Sequence, residues 1–467
     1  MNKEYNKLFN IKSKEILVLL CVCFVQILIS GFSWVKGNIV YDICSVISMI
    51  AIAFLIYLYQ PEIFLKYLWF VIISIWGIVS VFILENGAVV LRGKSSFHYG
   101  SLPTYCLGWC VFWATIIIKE LRYKIKYMKD DTIKNFDEFN PSDTTMKNIK
   151  ILAYIAIAWM IICFISIVNK PYFIYGIDRF QYAREFMPQL VSKSMIFLYT
   201  LIPIILMIRK KEKKITYIYC GIFTLLNIWC GEKFSGLIIL FYFIILAISP
   251  VCISEKMIYK TKKTIKIIAL ALVFLIGIVI LQQLVLGLKT SELLEYFQKR
   301  IAAQGELWWL MYRGDATGGT HFNEMMDEIS ILVNQPNGQM SEYNFGIYKL
   351  MKLFMNSDWV KYALSRGIRA TESTRASFFY YGKIPGLIIG QVLLALLVSF
   401  IVNKIIVNCN KRRIVSACGC MYIFKYVITA SIMSDFQLLT TKKIILVYIV
   451  MAVLGIRGKN NREQKNE

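Results

Sequence analysis

PGLIIGQVLLALLVSFIVNKIIV, residues 385–407, carries a single charged side chain, Lys404. At about 1.5 Å of rise per residue, a helix over this run crosses a hydrocarbon layer about 30 Å thick. No water bonds the backbone inside such a layer, so a spanning segment must be a helix or part of a closed barrel. A barrel strand would alternate apolar and polar residues, and this run does not. It reads as a membrane-spanning helix. Runs of about 18 apolar residues or more recur along the chain. The hydrophobic fraction is 57%, against roughly 45–50% in soluble domains, and mean hydropathy is +0.57. The expected class is an all-α polytopic integral membrane protein.

Basic residues orient the spans, because short cytoplasmic loops collect Lys and Arg. Lys411, Arg412 and Arg413 follow the quoted run at once. The connection at 119–150 holds Lys119, Arg122, Lys124, Lys126, Lys129, Lys134, Lys147 and Lys150. Further clusters end one span at Arg209–Lys214 and precede another at Lys256–Lys266. Spans are expected near 16–35, 38–59, 64–84, 102–118, 151–168, before 209, twice within 215–253, and near 267–288, 385–407, 414–433 and 444–455. That gives about twelve transmembrane helices with N and C termini cytoplasmic, and about 31 of the 53 Lys and Arg inside. The chain then divides into spans with short loops over 1–288, one large extracytoplasmic loop over 289–381, and spans with a cytoplasmic tail over 382–467. The first run, Ile16–Val35, is too long for a signal-peptide core and reads as a retained anchor. The net charge of +24 follows mainly from loop charge, so no nucleic acid is implied. Twelve cysteines, nearly all in apolar runs and without a CxxC pair, read as small packing residues.

The polar stretch before the quoted run carries the candidate chemistry. SELLEYFQKRIAAQGELWWLM (291–311) has helical periodicity, with Leu293, Phe297, Ile301, Trp308 and Met311 on one face. Arg300 and Gln304 fall inside that stripe, with Glu306 opposite. A cation there either bonds a carbonyl, carboxylate or headgroup, or faces an anionic ligand that suits a guanidinium fork. GGTHFNEMMDE (318–328) contains His321, one of two histidines. It is either structural or a general base near neutral pH. SRGIRATESTRASFFYYGKIPG (365–386) sets Arg366, Arg369, Glu372 and Arg375 just before the span, where Glu372 and Arg375 form a surface ion pair or meet a diphosphate. Gly382 and Gly386 would let the helix start pack closely.

Other outer loops add Arg179, Tyr182 and Arg184, then Glu232 and Lys233 at a tight turn, and His98. Asp42, near the outer end of the second span, is expected to point inward. No GxxxxGK[ST], HExxH or outer-loop DxD is present, so no metal site or nucleotide cofactor is expected.

The layout resembles the bacterial O-antigen polymerases, the Wzy-type oligosaccharide repeat-unit polymerases. The likeness rests on the spans, on a large outer loop late in the chain, and on IDRFQYAREF (177–186). GEKFSGLI (231–238) stands where such proteins carry a small–basic–small turn, with Lys233 where Arg is common. TRASFFYYGKIPGLIIG (374–390) looks like the family's loop-to-helix junction. The related O-antigen ligases, and some of the polymerases, carry a His-Asn pair before that junction. Here Ser373, Thr374 and Arg375 occupy the place, which disfavours a ligase.

The resemblance implies a GT-C-like polymerase/ligase fold in a bacterial cytoplasmic membrane, with no cofactor. It implies glycosyl transfer between undecaprenyl-diphosphate-linked oligosaccharides in contact with membrane lipid. A chain-length regulator and a flippase of the same pathway would be partners. His321 or Glu372 would then be catalytic. Arg179, Tyr182, Arg184, Lys233, Arg300, Gln304, Arg369 and Arg375 would bind substrate or diphosphate. Trp308, Trp309 and Tyr343 would stack on sugars. A ligase or another lipid-linked glycan transferase is the first alternative. A flippase is the second, although it would show paired repeats and midplane charges.

Overall fold

A computed structural model describes residues 17–33 apart from 19, 38–87, 100–128, 143–169, 182–207 apart from 184, 212–231, 235–248, 292–334, 346–366, 370–410 apart from 372, 413–434, 441–451 and a few isolated positions. Among the described residues every regular element is a helix. In chain order they are α1 (Leu20–Ser33), α2 (Ile39–Tyr59), α3 (Pro61–Lys66), α4 (Leu68–Glu85), α5 (Ser101–Met128) and α6 (Asp143–Ile167). Then come α7 (Gln189–Thr200), α8 (Ile202–Met207), α9 (Lys213–Trp229), α10 (Ser235–Ile248) and α11 (Leu293–Asp315). Last are α12 (Phe322–Asn334), α13 (Gly346–Phe354), α14 (Ser357–Arg366), α15 (Ser373–Asn410) and α16 (Ile414–Met433). Among the described residues six helices are long and apolar enough to cross a membrane: α2, α4, most of α5 and α6, α15 and nearly all of α16. The chain is an all-α membrane protein.

Two breaks have proline as their cause. Pro61 has no N–H to extend α2, so Gln60 ends that helix and Pro61 starts α3 at the position where proline fits. The single span expected before Arg209 is two helices, α7 and α8. Pro203 offers no N–H to the Tyr199 carbonyl, and Leu201 turns back onto Leu198 instead.

The chain forms two compact units. One contains residues 1–123, 291–399 and 429–435, and α5 is its centre. Leu102, Tyr105, Cys106, Trp109, Phe112 and Ile116 of α5 are all 0% exposed. α1 runs antiparallel to α5, since Ser30 Oγ donates to the Pro103 carbonyl at 2.8 Å while Cys23 lies at Cys110. α2 runs parallel to α5. Gln26 bridges Ser45 and the Pro103 carbonyl at 3.1 Å each, and Met49 meets Cys110. These buried serines and glutamine act as interhelical glue where apolar side chains gain little over lipid.

α4 is antiparallel to α5. Its end, Glu85, accepts the Ser101 N–H at 2.9 Å, and its start meets Glu120. Glu120 accepts from Lys66 Nζ at 3.1 Å, Tyr67 Oη at 2.6 Å and Ser399 Oγ at 3.3 Å. Since Leu387 packs on Gly108 and Ser399 on Glu120, α15 runs parallel to α5. The end of α16 is tied to the start of α15, where Thr374 Oγ1 donates to the Ala430 carbonyl at 2.8 Å.

α11 is the main surprise in this unit. Read from sequence as an amphipathic loop helix, it is buried from Gly305 through Tyr312, Glu306 included. Its close contact is with α4. Gly305 N–H donates to Ser80 Oγ at 2.6 Å, and Ser80 Oγ donates to the Ala302 carbonyl at 2.9 Å. A Cβ at Gly305 would lie 2.8 Å from both Ser80 Oγ and Val81 Cγ2. Gly305→Val is therefore expected to destabilise the fold by about 1–3 kcal/mol through overpacking. Thermal unfolding of the purified protein in detergent measures it.

The second unit contains residues 124–290, 400–428 and 436–467. α6 and α9 run parallel, with Lys150 paired to Glu212 near one end and Trp229 Nε1 donating to the Ile167 carbonyl at 3.1 Å at the other. Tyr199 Oη lies 2.8 Å from Asn227 Oδ1 and 2.9 Å from the Gly236 carbonyl. Lys425, a charge inside an expected span, sits 4.3 Å from the Tyr199 ring centroid, which offers it a π face. The expected span at 267–288 lies almost wholly outside the described residues.

Candidate functional site

In the first unit a connected group of ionisable side chains lies where α11, α12, α13 and α15 meet. The organising feature is a break in α15 at Lys383, whose φ of 52° and ψ of −143° are not helical. Pro385 follows and cannot donate to a preceding turn. The two limbs fold close enough that a Cβ on Gly386 would stand 2.6 Å from the Phe378 carbonyl oxygen. Gly386 thus has the close-packing role expected of it, whereas a Cβ on Gly382 would meet nothing within 4 Å. A non-glycine residue at positive φ costs about 1–3 kcal/mol unless its surroundings hold it. Lys383 is held: Nζ donates to both the carbonyl and the Oδ2 of Asp315 at 2.5 Å. Asp315 ends α11, so the ammonium also meets the negative end of that helix.

His321 lies beside this clamp. Its N–H donates to the Tyr381 carbonyl at 3.1 Å, and its own carbonyl accepts the Met325 N–H that starts α12. Nδ1 is 2.9 Å from Glu324 Oε1, and Nε2 is 3.3 Å from Asp315 Oδ1. The imidazole stacks on the Tyr380 ring, with centroids 4.1 Å apart and planes at 6°. The side chain keeps 28% exposure, so solvent reaches it.

The charge relay continues along α12. Lys349 of α13 bonds Glu324 at 2.7 Å and Glu328 at 2.9 Å. Tyr380 Oη donates to Glu324 at 3.1 Å, and Tyr381 Oη lies 2.8 Å from both oxygens of Glu328. Burial disfavours the Lys349 ammonium, but the hydrogen bonds to Glu324 and Glu328 outweigh it and hold its pKa above the ordinary lysine value. The Lys349 bond, more than those from His321 and Tyr380, holds the Glu324 carboxyl below its ordinary 4.5 despite some burial. A carboxyl lowered on folding stabilises the fold above about 4.5 and loses that contribution as pH falls through its folded value. Thermal midpoints should therefore drop in acid, and Glu324→Gln should show a smaller acid loss.

Of the residues singled out from sequence, Arg179, Arg184, Lys233, Arg369, Glu372 and Tyr343, with His98 and Glu232, lie outside the described residues. The others are placed as follows. Arg300 is exposed and not part of a packed stripe, because α11 packs through Ala302 and Gly305 instead. Gln304 is engaged within the protein, its amide with the Arg300 carbonyl at 3.4 Å and its Oε1 with Thr371. Trp308, expected to stack on a sugar, is enclosed in the protein. It is 0% exposed, donates Nε1–H to the Ser101 carbonyl at 3.2 Å, and packs against Tyr105, Tyr312 and Phe379. Trp309 is also enclosed, at 3%.

Arg375 is no surface partner either. It is 1% exposed, with its guanidinium carbon 3.4 Å from the Trp109 ring centroid and 5.5 Å from that of Tyr105. Desolvated cation–π contact of this kind is worth about 2 kcal/mol or more. Tyr182 belongs to the second unit, fully buried and stacked on Phe186. Asp42 is buried, as expected.

Sequence reading missed Asp315, Glu324, Glu328, Lys349, Tyr380, Tyr381 and Lys383. One local signal was available: His321, Glu324 and Glu328 fall at spacings that share a helix side. Among the described residues no group of three His, Cys, Asp or Glu side chains is set to hold a metal ion. No protein-family model matches the chain, and no curated protein and no solved structure matches it.

Proposed function

We propose that the chain is a membrane glycosyltransferase, a surface-polysaccharide polymerase of O-antigen type. It joins undecaprenyl-diphosphate-linked repeat units at the outer face of a bacterial cytoplasmic membrane. The observation that carries this reading is a solvent-reached imidazole oriented by one carboxylate, beside a second carboxylate and a lysine, where a long apolar helix begins. The alternating directions of α1, α2, α4, α5 and α15 are those required by the charge-based layout of about twelve crossings.

In this mechanism Glu324 takes the Nδ1–H of neutral His321 and fixes its tautomer. Asp315 lies 3.3 Å from Nε2, so it must give way toward Lys383 before Nε2 takes the proton of an acceptor sugar hydroxyl. The hydroxyl oxygen bonds the anomeric carbon as the bond to the lipid diphosphate breaks, and the diphosphate leaves with the electron pair. Once Nε2 is protonated, the Asp315 contact becomes a charge-assisted bond that stabilises the imidazolium. Lys383 and Lys349 offset the charge of Asp315, Glu324 and Glu328, which would otherwise repel the departing group.

Deletion of the gene with analysis of surface glycan tests the reading. A polymerase mutant still exports and attaches single repeat units, leaving a one-unit product. Loss of all surface glycan with lipid-linked units trapped inside would mean a flippase. Long lipid-linked polymer that never reaches its acceptor would mean a ligase.

A further inference from the structure

α12 presents three different faces. At about 100° per residue, Glu324 and Glu328 point together toward Lys349, Tyr380 and Tyr381, the docked face. Asn323, Asp327 and Ser330 form an exposed polar flank. The remaining face carries Phe322, Met326 and Ile329, spaced at i, i+4 and i+7, and these are 53%, 48% and 45% exposed. A short helix that turns its acids inward and large apolar groups outward has the reverse of a water-facing arrangement.

Its position indicates what covers that face. The N–H that precedes α12 is bonded to the Tyr381 carbonyl, at the break of α15. Just past the break, α15 begins its own exposed apolar row with Ile388 at 36%, Ile389 at 60% and Leu393 at 61%. That row belongs to a helix long and apolar enough to span a membrane. The exposed stripe of α12 therefore starts where a lipid-facing surface starts.

We infer that α12 is an interfacial helix, with Phe322, Met326 and Ile329 inserted into the headgroup–acyl boundary of the bilayer. The insertion sets the depth of the His321 cluster, because Glu324 and Glu328 on the opposite side hold that cluster. His321 is thereby fixed at the level of lipid headgroups.

The test uses the full-length protein in liposomes of phosphatidylethanolamine and phosphatidylglycerol. Photoreactive benzoylphenylalanine replaces Met326, or separately Asn323 on the polar flank. Both side chains are exposed, so neither replacement removes packing. Irradiation should give lipid adducts at 326, several-fold more than at 323, detected by mass spectrometry. Ile329→benzoylphenylalanine should repeat the result at 326. A cross-linked dimer at 326 would mean that a second copy covers the face and would overturn the inference. So would equal adduct at 323 and 326, or none at either. These outcomes do not depend on whether the protein transfers sugars.

Discussion

Replacing Glu120 with alanine is expected to destabilise the protein by about 3–5 kcal/mol. Glu120 is 5% exposed and gathers Lys66, Tyr67 and Ser399 onto one carboxylate, joining the α3–α4 break, α5 and α15. Lys66 is 8% exposed, so truncation takes a carboxylate away from an ammonium in a low-dielectric interior. That lost charge pairing, more than the lost neutral bonds, sets the size of the effect. Glu120→Gln should fall between wild type and alanine, because an amide can still accept from Tyr67 and Ser399. The double change Glu120→Leu with Lys66→Met should recover much of the loss, since apolar replacements of buried pairs are often neutral. Thermal unfolding in detergent reads all four proteins. A double variant as unstable as Glu120→Ala would refute the account.

The second large effect concerns the proposed reaction. His321→Ala should slow repeat-unit transfer by about 10²–10⁴-fold, the usual worth of a positioned general base. His98 is the other histidine, and His98→Ala serves as the control for imidazole loss in general. Glu324→Gln keeps an acceptor near Nδ1 but removes the charge, so it should slow transfer less than His321→Ala. Normal chain length from His321→Ala would remove the imidazole from catalysis and leave it as a clasp between α11 and α12.

The helical class was legible because hydropathy runs state it directly, and Gln60–Pro61 marked its break without help. Pro203 was equally visible, yet the apolar run around it hid the interruption. α11 was misread for a physical reason. A helical wheel weights large apolar residues and scores Ala302 and Gly305 as gaps, although small residues are what permit the close approach to Ser80 and Val81. Arg375 reads as a surface or ligand-facing charge because it lies in a polar stretch, and Trp308 reads as apolar without its partners. Burial depends on partners from α5, far away in sequence, and no local pattern reports Trp109 or Tyr105. The His321 cluster was half visible: the imidazole stood out by rarity. Asp315, Lys349 and Lys383 come from other helices, and only the fold brings them together.

The contacts of Glu120 also impose an order on synthesis. Ser399 is 279 residues downstream of Glu120, and Ala302 is 222 downstream of Ser80. At about 5–20 residues per second, tens of seconds pass between the emergence of each pair. During that interval Glu120 has its early partners Lys66 and Tyr67 but not Ser399, and Ser80 has no Ala302 carbonyl to meet. The interior of the first unit is thus assembled late.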